Sequence, residues 1–377
     1  MSTIKSSDEH LTLNADGSSK DIKFQANGVE KASISSAGAF TSTTIDATKL
    51  TGALPAISGA SLTGIPSFKQ NIVKNGGFDV WQRGTSFTYT SGKNFIADRW
   101  WVTPNSGAHT QTREAAGLDG FNYCLRMQRN ASQTAVGVVY LNNEFESRDS
   151  MQFRGKKLTL SFYARKGANF SQANSYLTSN VASGTGTDQT LSTGFTGGVN
   201  LISQNNTLTT SWQRFTHTTG SVLATTVNQI AIQFTTAHEG TAGAADYYEI
   251  TGVQLEEGDS ATDFVHRSYG EELALCQRYF SKSVLLSDVN GGFVFTGFNG
   301  NEAWGGNHFP VTMRATPTVT MYNYGGTAGG VHKIGSPDIS GVAASSISNT
   351  GVPQVTKSGG FSAGALYVGN YKADAEL

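Results

Sequence analysis

Aromatic side chains set among uncharged polar residues and glycine are the residues here best suited to chemistry. That chemistry is recognition of sugars. Sugar rings carry apolar C–H faces that stack on tryptophan and tyrosine, while Asn, Gln and Asp bind the hydroxyls. The candidates by position are Tyr89, Trp101, Tyr176, Trp304, Tyr322 and Tyr324. Trp81, Trp100 and Trp212 stand at strand starts and are assigned to the core.

Catalytic sets are missing. Seven histidines form no HExxH and no pair at metal spacing, and there is no G-x-S-x-G elbow, P-loop or dinucleotide fingerprint. Glu256, Glu257, Asp259 and Asp263 are close in sequence. Two of them could hydrolyse a glycoside if they faced each other across the bond; the simpler reading is a solvated acidic turn. A metal has one opening. Asn75-Gly76-Gly77-Phe78-Asp79 starts a run of strands and Glu249 lies in the last long one. If those strands are neighbours, Asp79 and Glu249 with backbone carbonyls would make an oxygen-only site suited to Ca²⁺; otherwise they are two surface carboxylates. No other cofactor is required.

The elements that must position these residues are strands. The chain has 377 residues, 15% charged, with 44 glycines and a formal net charge of −1. That balance gives no field to steer nucleic acid or an anionic membrane. The 38% hydrophobic content can bury a core. Cys124 and Cys276 are expected to be reduced, buried and small. The polar start MSTIKSSDEH reads as no secretory signal, and no apolar run approaches the ~18 residues of a membrane span, so synthesis in a cytoplasm and no membrane insertion are expected.

Residues 1–70 have no Trp, Tyr or Cys, and they carry turn signals at Asp16-Gly17 and Asn27-Gly28. Short strands with thin apolar edges are expected there, and such strands need partners. The segment KLTGALPAISGASLTGI at 49–65 repeats Leu-Thr-Gly and spaces Leu50, Leu54, Ile57, Leu62 and Ile65 among small residues. From Ile72 aromatics become dense. Lys157–Lys166 puts Leu158, Leu160, Phe162 and Ala164 on one face; Gln229–Ala237 puts Ile230, Ile232 and Phe234 on one face, with Gln233 and Thr235 opposite. Tyr248 and Ile250 keep one phase and Val253 and Leu255 the other, which predicts a bulge at Thr251-Gly252. Ser268-Tyr269-Gly270-Glu271 has capping-box spacing and opens a short helix. Strands are expected again near 291–297, 309–314, 316–322 and 365–368.

The fold class expected is therefore all-β. An elongated N-terminal β shaft (1–70) precedes a jelly-roll β-sandwich (71–270), followed by one short linking helix and a smaller C-terminal β-sandwich domain (271–377).

Several stretches resemble one family. NGGFDVWQRGTSF…ADRW is similar to the start of a jelly-roll domain of bacteriophage tail-fibre and receptor-binding proteins, itself like the carbohydrate-binding modules of glycan-degrading enzymes. VQLEEGDSATDFVHRSYGEELALCQRYF resembles that domain's last strand, acidic turn and following helix, and FPVTMRATPTVT the strand pair after it. NADGSSKDIKFQANGVEKASISSAGAF, with TTIDATKLTGALPAI, looks like the shaft of marine phage fibres. Together these cover most of the chain.

The resemblance implies a homotrimeric virion fibre joined through its N-terminal region to other phage tail proteins. It also implies binding of host surface polysaccharide or lipopolysaccharide, and no catalytic residue. In a trimer, Leu50, Leu54, Ile57, Leu62 and Ile65 would meet their symmetry mates as thin apolar layers of a stem. The structural Ca²⁺ of related modules would land on Asp79 and Glu249, although Glu249 stands where that pattern has Asp. The alternatives are a virion adaptor or head-decoration fibre joining other virion proteins and, less favoured, a glycan depolymerase.

Overall fold

The computed structural model describes residues 20–37, 40–42, 71–105, 107–283 and 292–377. The five proposed stem residues and the Asp16-Gly17 turn lie outside them. The chain divides into two compact units, Met1–Pro66 and Ser67–Leu377.

In the first unit, β1 (Ile22–Ala26), β2 (Val29–Ile34) and β3 (Phe40–Ser42) form a three-stranded antiparallel sheet. Asn27 and Gly28 turn β1 into β2 with φ of 52° and 75°, both in the left-handed region that a tight two-residue hairpin demands. Phe24, Val29 and Phe40 remain exposed.

The second unit begins with a sandwich of twelve strands: β4 (Ser86–Tyr89), β5 (Asn94–Phe95), β6 (Trp101–Pro104), β7 (His109–Leu118), β8 (Phe121–Arg129), β9 (Gly137–Glu144), β10 (Leu158–Lys166), β11 (Tyr176–Gly184), β12 (Val199–Thr207), β13 (Gln213–Thr218), β14 (Gln229–His238) and β15 (Tyr247–Glu257). One helical turn, α1 (Ser147–Ser150), follows β9. The first sheet runs β13-β10-β15-β8-β7-β4 and the second β12-β11-β14-β9-β6-β5. Both are antiparallel.

The alternation read from sequence holds. Leu158, Leu160, Phe162 and Ala164 join Ile230, Ile232 and Phe234 in one core with Trp100, Phe78 and Trp81. Tyr248, Ile250, Val253 and Leu255 all reach that core despite their change of phase. The register between β10 and β15 shifts at Ser161/Tyr163, and Gly252 sits there at φ 61°. A Cβ on Gly252 would meet the Phe121 ring at 2.7 Å and the Tyr163 ring at 2.9 Å. Gly252→Ala is expected to cost about 2 kcal/mol or more from left-handed strain and overpacking; a thermal melt measures it.

Trp212 differs from expectation. It is half-buried outside the core, donating Nε1–H to the Ala116 carbonyl at 2.9 Å under the Arg165 guanidinium.

The rest of the unit contains α2 (Tyr269–Gln277), β16 (Phe280–Lys282), β17 (Phe293–Gly297), β18 (Glu302–His308), β19 (Thr318–Tyr322), β20 (Gly330–Lys333), β21 (Ile339–Ser340), β22 (Ala343–Ser345), β23 (Gly351–Thr356) and β24 (Leu366–Asp374). Helix α2 has the capping box read from sequence: Ser268 Oγ accepts from the Glu271 N–H, and the Glu271 carboxylate accepts from the Ser268 N–H. The nine strands form one curled sheet seamed by β24, which pairs with β16, β17, β19 and β20. A second core of Phe293, Phe295, Met313, Met321 and Tyr367 lies within it.

The strand expected at 309–314 does not form. Pro310 has no N–H to give a ladder. Met313 turns into the second core, and Arg314 donates to the Ala375 carbonyl and pairs with Asp188.

Candidate functional site

The second sheet's outer face builds a groove by register alone. Val102, Leu141, Ile232, Phe234, Val181 and Ile202 point into the core, so their neighbours along each strand point out. Cross-strand pairing then lines up Trp101, Asn142, Gln233, Asn180 and Ser203 in one row over five strands. The next row is Thr103, Tyr140, Thr235, Thr178 and Asn205. With strands about 4.8 Å apart, four gaps make each row about 19 Å long.

One end of these rows deepens into a pocket of about 390 Å³ lined by Lys93, Trp101, Tyr140, Asn142, Leu191 and Gln233, among others. Asn142 is fully buried, and its Oδ1 accepts from Gln233 Nε2 at 2.9 Å. Its Nδ2, like Thr235 Oγ1, has no hydrogen-bond partner among the described residues. A buried donor left unpaired costs about 1–3 kcal/mol, and a ligand oxygen would relieve it. At the opposite end, Ser203 and Asn205 are exposed, so the rows run from an enclosed end to an open one.

Trp101 lies at the enclosed end, and its ring is not free to stack. It is 3% exposed, with the Lys93 ammonium 4.6 Å from its centre. Lys93 Nζ lies 3.6 Å from Glu144 and donates to the Leu377 carbonyl at 2.7 Å. Burial lowers the Lys93 pKa against the pull of Glu144, and burial raises that of Glu144 against the pull of Lys93.

The other aromatic candidates are dispersed. Tyr89 stacks on Phe87 and packs against the sandwich core. Tyr176 shares the groove's face but does not line the pocket. Trp304, Tyr322 and Tyr324 belong to the C-terminal sheet region: Trp304 donates to Glu302, Tyr322 lies under Lys372, and Tyr324 tilts against His332. Sequence reasoning missed Tyr140, Asn142 and Lys93. The signal for the first two was present, because Val139 and Leu141 fix the phase that turns Tyr140 and Asn142 outward.

The carboxylates proposed for Ca²⁺ do not fit a cation. Glu249 is fully buried, with Oε1 taking Arg126 and Oε2 taking Arg165. Asp79 lies in a different setting with Arg113 and His266. Among the described residues, no group of three or more His, Cys, Asp or Glu could hold a metal. Of the acidic turn, Glu256 is buried and accepts from the N–H and Oγ1–H of Thr262, so it fixes the turn and is not a solvated acid. Glu257 pairs with Lys156 and Asp263 with Arg214, both at the surface. No helix among the described residues is long and apolar enough to cross a membrane.

No family model matches this chain, and no curated protein matches it. Solved structures overlap it loosely. The enzymatically active domain of tailspike protein 4 of bacteriophage CBA120 is 12% identical over 50% of this chain, with a TM-score of 0.29, and this chain covers 21% of it. A putative sugar binding protein from Bacteroides thetaiotaomicron is 13% identical over 50% of this chain and 100% of its own, with a TM-score of 0.32. The CBM22-1 xylan-binding domain from Paenibacillus barcinonensis Xyn10C is 10% identical over 51% of this chain and 97% of its own, with a TM-score of 0.30.

Proposed function

We propose that this chain is a non-enzymatic adhesin, a bacteriophage tail-fibre protein that binds host cell-surface glycan through the groove of the second sheet. The observation that carries this reading is the pair of cross-strand rows. They set uncharged amide and hydroxyl groups about 4.8 Å apart and leave Asn142 Nδ2 and Thr235 Oγ1 without partners among the described residues. Tyr140, half-buried beside them, supplies the ring for a sugar face. The phage assignment rests on the sequence resemblance of the stretches that run from Asn14 to Ile57 and from Asn75 to Thr320.

Screening the full chain on an array of bacterial surface polysaccharides tests it. Tyr140→Ala and Gln233→Ala are each expected to weaken binding about tenfold, the effect of losing one stacking or hydrogen-bonding group. Unchanged binding in both, with the protein folded, would move the site elsewhere. Release of reducing sugar from a bound polysaccharide would make the protein an enzyme.

The same reading includes a homotrimer. Three short strands with Phe24, Val29 and Phe40 exposed bury little by themselves, and sheets this small need partners. A trimer also multiplies weak sugar sites by avidity. Light scattering at micromolar protein is expected to give three times the 39.9 kDa chain mass; a monomer would sink this part.

A further inference from the structure

The sandwich has a second opening, at the end of the first sheet nearest the β7–β8 turn. Cross-strand pairs Arg113↔Leu125 and Ala115↔Tyr123 share faces, and Leu125 belongs to the core. Arg113 and Tyr123 therefore occupy the core-facing phase of their strands. The sequence places a cation and a phenol there, where aliphatic side chains would close the sandwich. The result is a pocket of about 440 Å³ that Asp79, Asn122, His266 and Tyr269 also line. Small-molecule sites span roughly 300–1,000 Å³.

The other end of the same two strands is treated differently. There His109 and Arg129, a cross-strand pair, are buried against Asp246 and His238 and plug the sandwich.

The lining selects a class of ligand. Two cations, Arg113 and Arg267, face two carboxylates, Asp79 and Glu272. An anion would meet the carboxylates, and a metal ion would meet the guanidiniums. A neutral ligand meets neither objection. Glu272 is already committed to the Asn75 N–H and to Arg267. Arg113 lies 4.3 Å over the Tyr123 ring, which fixes the plane of its guanidinium. Asp79 is half-buried in the pocket wall beside Asn122 and Arg113, where its carboxylate can accept from ligand hydroxyls. Phe264 and His266 pack edge to face at 4.8 Å, and Tyr269 is exposed at the start of α2. Gly77 leaves room beside the carboxylate: a Cβ there would stand 3.0 Å from Asp79 Oδ2 and 3.8 Å from Phe264.

We propose that this end pocket is a second binding site, separate from the sheet groove, which holds one neutral sugar residue. The Asp79 carboxylate accepts from a vicinal pair of its hydroxyls, Arg113 donates to a ring or hydroxyl oxygen, and the Tyr269 ring covers an apolar face.

Saturation-transfer NMR on the full chain with methyl glycosides of glucose, galactose, mannose and N-acetylglucosamine tests this. At least one is expected to bind with millimolar Kd. Asp79→Asn and Gly77→Ala are each expected to weaken it about tenfold or more, through a lost charge-assisted acceptor and a filled cavity respectively. Gly77 has no positive φ, so its alanine variant tests the pocket with little backbone strain and stands in if Asp79→Asn fails to fold. Gln233→Ala, in the groove, is expected to leave monosaccharide binding unchanged. Failure of the groove to hold polysaccharide leaves this result standing, so the two sites are judged apart. The proposal is overturned if none of the four glycosides binds, if binding survives both pocket variants, or if it disappears with Gln233→Ala.

Discussion

Arg129→Met is expected to lower the free energy of unfolding by about 3–5 kcal/mol, the range for breaking a buried ion pair by removing one partner. Arg129 is fully buried at the end of β8. Its Nη1 donates to Ser171 Oγ at 3.1 Å and the Glu239 carbonyl at 3.0 Å, and pairs with Asp246 Oδ2 at 3.4 Å. Its Nη2 donates to the Ala135 and Gly240 carbonyls at 3.0 and 2.7 Å. One side chain thus ties the loops after β8 and β14 to the segment before β11. Methionine fills much of the volume but leaves three carbonyls and a carboxylate without their donor.

Asp246 also accepts from the Ser171 N–H and Oγ–H, so it would keep two partners in a charge it can no longer balance. Arg129→Met with Asp246→Asn is therefore expected to recover part of the loss, since the uncompensated charge goes. Urea unfolding measures both. A single-variant loss under about 1 kcal/mol would mean that water replaces the guanidinium at no great cost. The groove lies on the other sheet's outer face, so polysaccharide binding by folded Arg129→Met should persist.

Alternation was the part of the fold that could be read directly from residues. Leu158 to Ala164 and Ile230 to Phe234 reach the core as their spacing requires, because a half-buried strand has only two faces. The bulge at Gly252 was legible for the same reason: two phases within one strand must be reconciled by an extra residue. Aromatic identity alone does not gather the candidates in one place: Tyr89 packs on the sandwich core and Trp304 lies in the C-terminal sheet. Residue type does not state which face a side chain takes, whereas phase does, and Asn142 and Tyr140 follow from Val139 and Leu141. Trp101 lies on the groove's face, but its cover by Lys93 comes from a separate strand-edge segment that no local pattern announces.

Charged residues at core positions were the least legible. Arg129, Glu249 and Arg99 are buried because distant segments bring them partners. Arg99 pairs with Glu376, donates to the Glu144 carbonyl and stacks on Tyr279 at 3.6 Å. Arg278 and Tyr279, just past α2, both bond Glu146 beyond β9. Contacts of this kind knit the C-terminal sheet to the sandwich within one unit, and their sequence separations exceed 100 residues. A single sequence carries composition and phase, but it does not say which distant charges will meet.

The two buried histidines beside Arg129 lead to the other large effect, acid lability. His238 is held down to about 3 by burial, then by His109 and Arg129, and His109 is lowered by burial. Asp246 lies 3.7 Å from His238 Nδ1 but is already engaged by Arg129 and Ser171, so it does not rescue the protonated ring. Because the folded pKa values lie below the unfolded value of about 6.5, neutral histidine favours the fold. For His238 that contribution is complete above about pH 6.5 and is lost as pH falls toward 3; His109 loses its own in the same direction as pH falls below about 6.5. Each such histidine costs about 1.4 kcal/mol per pH unit over its window.

Asp98 acts in the opposite sense. Burial raises it to about 6, above its unfolded value, so acidification from pH 6 to about 4 returns some stability by neutralising it. The wild-type curve therefore mixes opposing slopes, and the difference from His238→Gln isolates one of them. That variant is expected to be less stable at pH 8 and to fall less steeply between pH 6.5 and 4, by about one proton. Parallel curves for the two proteins would mean that His238 titrates normally, which requires water to reach a ring that the Arg129 cluster encloses.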